Sequence, residues 1–387
     1  MNANQLLDAI GQVQDQYVLS AVRSREPRPR RSLKKAVLLG LAATLILATM
    51  TGAAVYTRWS KSMDGQYQAS EEQRAQAQDI GLSSMLEKEK QSGDILSVTD
   101  QGITVTAVQT IADNYHLKMV FRIEGLPYTE GMPPFAFPAE ATMDGVPMHE
   151  AIEGGYGGSG WFYDGTVLNN DGKFVYEDGT PIQRKANGES ILHYQAQDGS
   201  MEYILEYSFG KPGEHLGKVI EVGFDAFGHS VGRADIENDA QGKWRLRWKI
   251  TGSEETYKVS LDAPLGDSGD VVKEIEITPL SIGAVVQTKN CYDSETALGD
   301  YPRGIAGLRM KDGTTMTLLG GSGSAGYQDE AKTLYQMRAG ASRLYKVEDV
   351  EAVLFHNYIQ DENAENGIYL MDENGHYLDN YIEIPIR

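Results

Sequence analysis

The stretch GITVTAVQTIADNYHLKMVFRIEG, residues 102–125, decides the fold class. It is rich in Val, Ile and Thr, whose branched Cβ atoms suit an extended, pleated backbone. Leu117, Met119, Phe121 and Ile123 recur at every second position and so share one face of a strand. His116, Lys118, Arg122 and Glu124 fall on the other face. The pattern predicts two half-buried strands, with ILSVTD (95–100) as a further strand before them.

Working outward toward the C-terminus, a loop-rich stretch follows, with Pro133, Pro134, Pro138 and GGYGGSG at 154–160. Strand-like segments resume at ILHYQAQ (191–197), SMEYILEYSFG (200–210), KVIEVGFDAFG (218–228) and KWRLRWKITG (243–252). In the last of these Trp244, Leu246, Trp248 and Ile250 alternate with Lys and Arg. Asp-Gly at 198–199 marks a turn between strands. A second unit is expected from Lys258, with strands in YKVSLDAP, VVKEIEITPLSIGAVVQTK, GLRMKDGTTMTLLG, VEAVLFHNYI and GIYLMDENG. Asp-Gly at 312–313 predicts a hairpin within MKDGTTMT. Strands at this spacing, without a regular alternation of helices, predict antiparallel sandwiches rather than βαβ units.

Working outward toward the N-terminus, residues 57–93 are polar and rich in Gln and Glu. They are expected to form a helical stalk, or a helix laid against the first outer domain. Before them, Ala36 to Tyr56 (AVLLGLAATLILATMTGAAVY) carries no charge over 21 residues, enough to cross a bilayer as a helix. Seven Lys and Arg precede it, in the run RSREPRPRRSLKK at 23–35, and only Arg58 and Lys61 follow closely. The positive-inside rule keeps such an N-terminus in the cytoplasm and puts the C-terminal domains outside the cell. A signal peptide has a shorter apolar region nearer the N-terminus, so an uncleaved anchor is expected. Within the tail, Leu6, Leu7, Ile10, Val13, Tyr17 and Val18 form an apolar helical stripe. Its polar face lacks the Lys and Arg of a membrane-surface helix, and a helix this short needs a partner surface, so a protein partner is expected.

The charge is unevenly divided. Seven basic residues against Asp8, Asp15 and Glu26 give the first 35 residues +4; with a net charge of −20 overall, the other 352 carry −24. A body so acidic repels nucleic acid at long range. The lone Cys291 forms no internal disulfide and no paired-cysteine zinc site. Outside a membrane, that scarcity points to a bacterial exported protein.

No motif carries catalytic chemistry. Gly155, Gly157 and Gly160, and again Gly321, Gly323 and Gly326, satisfy GxGxxG, but a dinucleotide site also needs a βαβ unit and an acidic ribose ligand. Both are expected to be flexible loops. His116, His149, His193, His215, His229, His356 and His376 are dispersed, without an HExxH helix, and read as surface or strand histidines. DENAENG at 361–367 misplaces the calcium-loop glycine by one position. Residues 1–35 hold no His or Cys, so zinc has no ligands there. The expectation is a protein with no catalytic residues, no cofactor and no metal, and not an enzyme.

The opening NQLLDAIGQVQDQYVLSAV, the anchor SLKKAVLLGLAATLILA and the strand pair GITVTAVQTIADNYHLKMVFRIEG together resemble Gram-positive bacterial membrane proteins with the domain of unknown function numbered 4179. VVKEIEITPLSIGAVV, LRMKDGTT and VEDVEAVLF resemble the immunoglobulin-like domain that often follows in that family. The resemblance implies a membrane-bound anti-sigma factor, with Leu6, Leu7, Ile10, Val13, Tyr17 and Val18 holding an extracytoplasmic-function sigma factor. The expected organisation is a cytoplasmic tail over 1–35, a transmembrane helix over 36–56, a stalk over 57–93, and β domains over 94–257 and 258–387. An anchored surface binding or adhesion module without a signalling role is the alternative.

Overall fold

The computed structural model describes residues 59–169, 173–231, 235–289, 303–317, 323–328, 331–363, 369–372 and 377–387. The chain divides into Met1–Val55 and Tyr56–Arg387, and everything described belongs to the second unit. The tail stripe of Leu6, Leu7, Ile10, Val13, Tyr17 and Val18 and the apolar run 36–56 therefore lie outside the described residues. Among the described residues no helix is long and apolar enough to cross a membrane.

The described chain is mainly β, and its sheets are antiparallel. The strand pair of the opening stretch is its centre. Ile103–Ala112 and His116–Glu124 pair with each other around a turn at 113–115. His116–Glu124 then pairs with Met201–Phe209, and Met201–Phe209 with the edge strand Tyr156–Phe162. A second sheet, dominated by Val219–Ser230 and Ile236–Lys249, closes over this one. The predicted alternation in KWRLRWKITG is met, because Trp244, Leu246, Trp248 and Ile250 are all buried. Between the sheets Phe121 meets Phe224 edge-on, with ring centroids 5.2 Å apart, and the indole N–H of Trp244 donates to the Ile103 carbonyl. Such aromatic pairs add about 0.5–1.5 kcal/mol beyond their burial.

Three expectations fail locally. ILHYQAQ forms no regular strand; its residues make only isolated bridges, such as Gln195 with Met201. GGYGGSG is not a loop but most of the edge strand Tyr156–Phe162. The glycines there make room for neighbouring tyrosines, since a Cβ on Gly160 would stand 2.1 Å from the Tyr203 hydroxyl. Around the second glycine motif the chain forms an antiparallel pair of strands, Gly323–Tyr327 and Leu334–Gly340, not the strand-to-helix turn that a dinucleotide fold needs.

A second pair of sheets begins at Tyr257. Tyr257–Pro264, Val271–Thr278, Ser281–Gln287, Leu334–Gly340 and Gly323–Tyr327 form one sheet. Ile305–Met310, Thr315–Thr317, Val350–Tyr358 and Asp379–Pro385 form the other. Ile275, Ile277, Val286, Leu308, Val353 and Phe355 fill the core between them. The hairpin expected at Asp312-Gly313 is present, with Gly313 at φ +85° and Ile305–Met310 paired to Thr315–Thr317.

The segment after the apolar run is folded onto this body. Ser60 caps the helix Lys61–Tyr67, and Ser70 with Gln73 forms a capping box at the start of Glu71–Asp79. Trp59, Met63, Tyr67, Ala77, Leu82 and Met85 form a third core with Val108, Ile111, Val120 and Ile204 of the first sheet and with Leu280 and Leu344 from the second pair of sheets. The half-buried expectation for residues 102–125 is thereby corrected. His116–Glu124 is covered on both faces because residues 59–86 bury the face that the alternation left to solvent.

Candidate functional site

The turn at 113–115 lies where the first sandwich, the second sandwich and the N-terminal helices meet. Asp113 is fully buried. Its Oδ1 accepts the backbone N–H groups of Tyr115 and His116, each at 2.9 Å. Its Oδ2 accepts the Thr278 hydroxyl at 2.5 Å and the Leu280 N–H at 2.9 Å. One carboxylate thus receives four donors, two from each sandwich. Charge-assisted bonds of this kind are about twice as strong as neutral ones.

The neighbours of Asp113 extend the latch. The Tyr115 hydroxyl donates to Glu276 Oε2 at 2.7 Å. Arg338 donates to the same oxygen at 2.6 Å and to Ser281 Oγ at 3.0 Å, and its guanidinium lies 3.3 Å over the Tyr115 ring. The Asn114 amide donates to Thr256 Oγ1 at 2.8 Å in the connection between the sandwiches.

Beneath the helix Lys61–Tyr67, strand geometry sets Lys118 directly across from Glu206. Their charged atoms are 3.5 Å apart and the side chains are 4% and 6% exposed. The Tyr67 ring covers the pair, with Lys118 Nζ 5.2 Å from its centroid. Burial pushes Lys118 down, and Glu206 opposes that push. Burial pushes the Tyr67 phenol well up.

His116 and His215 are buried beside this cluster, and no ring nitrogen of either has a hydrogen-bond partner of normal geometry. His215 stacks on Phe209 at 3.9 Å between centroids and 11° between planes. Burial pushes His215 down to about 4, with the Asp113 charge acting in the opposite direction. Burial lowers His116 as well, against Asp113 and Glu206. Both imidazoles are held neutral by the cost of burying a charge.

The helix covering the cluster is itself tied down by buried polar groups. Ser60 donates from its N–H and its hydroxyl to Gln109 Oε1, and the Gln109 amide donates to Ser83. The Glu202 carboxylate accepts the N–H groups of Lys61 and Ser62 at the helix start. Gly65 faces Tyr163 so closely that a Cβ there would stand 2.3 Å from the phenol oxygen.

This arrangement does not resemble a substrate cleft. It locks three pieces of chain together through buried charged and polar groups. Among the described residues no group of three or more His, Cys, Asp or Glu is placed to hold a metal ion. Residues 364–367 of DENAENG, Cys291 and His376 lie outside the described residues. His229 pairs with Asp239 at 2.9 Å and His356 pairs with Asp379, as strand histidines do. Reading all seven histidines as surface or strand residues misses the burial of His116 and His215. Asp113, Lys118, Glu206, Thr278 and Arg338 are likewise absent from the sequence expectations, because Asp113 sits in a turn and the others in strand patterns, places that ordinarily put polar groups in water.

No known protein family matches the sequence, and no curated protein matches it. Among solved structures the chain is similar to the crystal structure of the conserved domain protein from Bacillus anthracis. That likeness has 12% identity and a TM-score of 0.41, over 79% of this chain and 94% of that one. It is too distant to carry an argument about function.

Proposed function

We propose that the chain is a membrane-anchored regulator of the anti-sigma type. Its tail, through Leu6, Leu7, Ile10, Val13, Tyr17 and Val18, sequesters an extracytoplasmic-function sigma factor. Residues 36–56 span the membrane, the N-terminus is cytoplasmic, and the two β-sandwiches, the second immunoglobulin-like, sense an envelope signal. The role is non-enzymatic.

One observation supports this reading above the others. Trp59, three residues beyond the apolar run, is already buried. The helix Lys61–Tyr67 packs on the first sandwich, and the next, Glu71–Asp79, reaches the second through Gln73, which donates to the Leu344 carbonyl. A signal that shifts one sandwich against the other therefore pulls on the chain at its exit from the run. The basic flank, the uncharged 21-residue run and the acidic body support the same order of parts.

The test is recovery of partners from native membranes with a tagged full-length chain and a version lacking residues 1–20. Recovery of a sigma factor with the intact tail alone is the expected outcome. Equal recovery from both, with envelope partners only, makes the chain an anchored binding module instead. Ile10→Asp with Tyr17→Asp is expected to release the sigma factor without disturbing the outer body.

A further inference from the structure

Beside the helix Lys61–Tyr67 lies a cavity of about 270 Å³, near the lower end of the size range of small-molecule sites. The helix supplies Ser62 and Gln66, and the edge strand Tyr156–Phe162 supplies Trp161. The hairpin of Thr166–Leu168 with Phe174–Tyr176 supplies Thr166, Val167, Leu168 and Phe174. Trp161 is 37% exposed and Phe174 65% exposed, large costs for aromatic rings without a partner. Gln66 Oε1 is shielded from solvent and has no hydrogen-bond partner among the described residues.

We propose that this cavity binds a short neutral saccharide. Sugar rings present apolar C–H faces and a rim of hydroxyls that both donate and accept. The cavity offers the complement, with Trp161 and Phe174 as ring platforms and Thr166, Asp164 and the Gln66 amide as polar partners. Asp164 accepts from Thr166 through one oxygen, Oδ1, which fixes the hairpin beside the cavity. No lysine or arginine lines the cavity, so a phosphate or an acidic sugar has no counter-charge there. Since Ser62 and Gln66 belong to the helix that leaves the apolar run, an occupied cavity tightens that helix against the first sandwich. This regulatory consequence, though not the binding itself, rests on the anti-sigma reading.

The tryptophans make the test direct. Of the four in the chain, Trp59, Trp244 and Trp248 are buried and Trp161 lines the cavity, so an emission change on titration that is lost in Trp161→Ala is assigned to Trp161. The full-length chain in nanodiscs is titrated with glucose, galactose, N-acetylglucosamine and N,N′-diacetylchitobiose, with N-acetylneuraminic acid and choline as charged probes. Saturable binding of at least one neutral sugar is expected, weakened about tenfold by Phe174→Ala. Trp161→Ala, followed by saturation-transfer NMR on the sugar, is expected to abolish it, with the circular dichroism spectrum unchanged. Hydrogen exchange of the 59–67 amides is expected to slow when the sugar is bound. No saturation by any neutral sugar up to about 100 mM overturns the proposal. So does binding of choline or the acidic sugar alone, or full retention of binding in Trp161→Ala. A sugar that binds while the tail captures no sigma factor leaves the site standing and removes the anti-sigma reading.

Discussion

The first and second sandwiches each close two antiparallel sheets over a core, yet among the described residues only the first seals an ion pair between facing strands away from water. In the first, Lys118 and Glu206 face each other across strands, nearly sealed from water, at 3.5 Å. In the second, Arg309 and Glu383 meet at 2.5 Å, with side chains 30% and 46% exposed. The shorter contact is the weaker one. Water screens an exposed pair to about 0–1 kcal/mol, whereas a buried pair cannot lose one partner without stranding a charge. Where the second unit does bury charge, at Arg338 and Glu276, it does so at the junction. Burial of charge follows contact between parts of the chain, not the sheets themselves.

Asp113→Ala is expected to break the contrast most. It strands two backbone N–H groups of the turn and the Leu280 N–H, while the Thr278 hydroxyl keeps Ser281 as a partner. A loss of about 3–5 kcal/mol is expected in denaturant unfolding, with the two sandwiches separating into two transitions. A single transition shifted by less than about 1 kcal/mol shows instead that the sandwiches hold together without the latch.

Lys118→Met comes next, at about 3–5 kcal/mol, because Glu206 is then buried without its cation. The double variant with Glu206→Leu is expected to recover most of that loss, and a double-mutant cycle measures how much. Additive losses would place the pair's effect in packing rather than charge.

The pH dependence of stability sharpens the same comparison. His215 titrates near 4 in the folded chain and near 6.5 when unfolded. Between these values the unfolded chain takes up a proton that the folded chain refuses. Stability is therefore intact above about pH 6.5 and falls as pH drops toward 4, by about 3 kcal/mol in total. His215→Phe, which keeps the stack on Phe209, is expected to flatten that slope. An unchanged slope assigns it to other groups.

Arg309→Ala is the smallest change, expected to cost within about 1 kcal/mol and less in high salt. A larger loss would mean that its bonds to Gly313 and Thr315 hold the hairpin in place.

Much of the strand content was legible because it depends on near neighbours. Branched side chains, the period-two pattern of Leu117 to Ile123 and the Asp-Gly turn at 312–313 act within a few residues of each other. ILHYQAQ misled for the same reason, since a local β preference has no effect where no neighbouring strand is placed to pair with it. In the edge strand, GGYGGSG looked like a loop because glycine carries no strand preference. Its role is set by Tyr203 and Tyr207, some forty residues away in sequence and adjacent in the sheet.

The sequence by itself determined that the body is β-rich and antiparallel, that charge is divided between a basic tail and an acidic remainder, and that an uncharged run of 21 residues separates them. Only the tertiary structure decided that residues 59–86 cover the first sheet and that Asp113 joins the two sandwiches. It also decided that Lys118, Glu206, His116 and His215 are buried, and that Trp161 and Phe174 frame a cavity. Periodicity reports whether a side chain faces one side of a strand or the other. What covers that side is fixed by chain dozens of residues away, and burial is what changes a charge's energy.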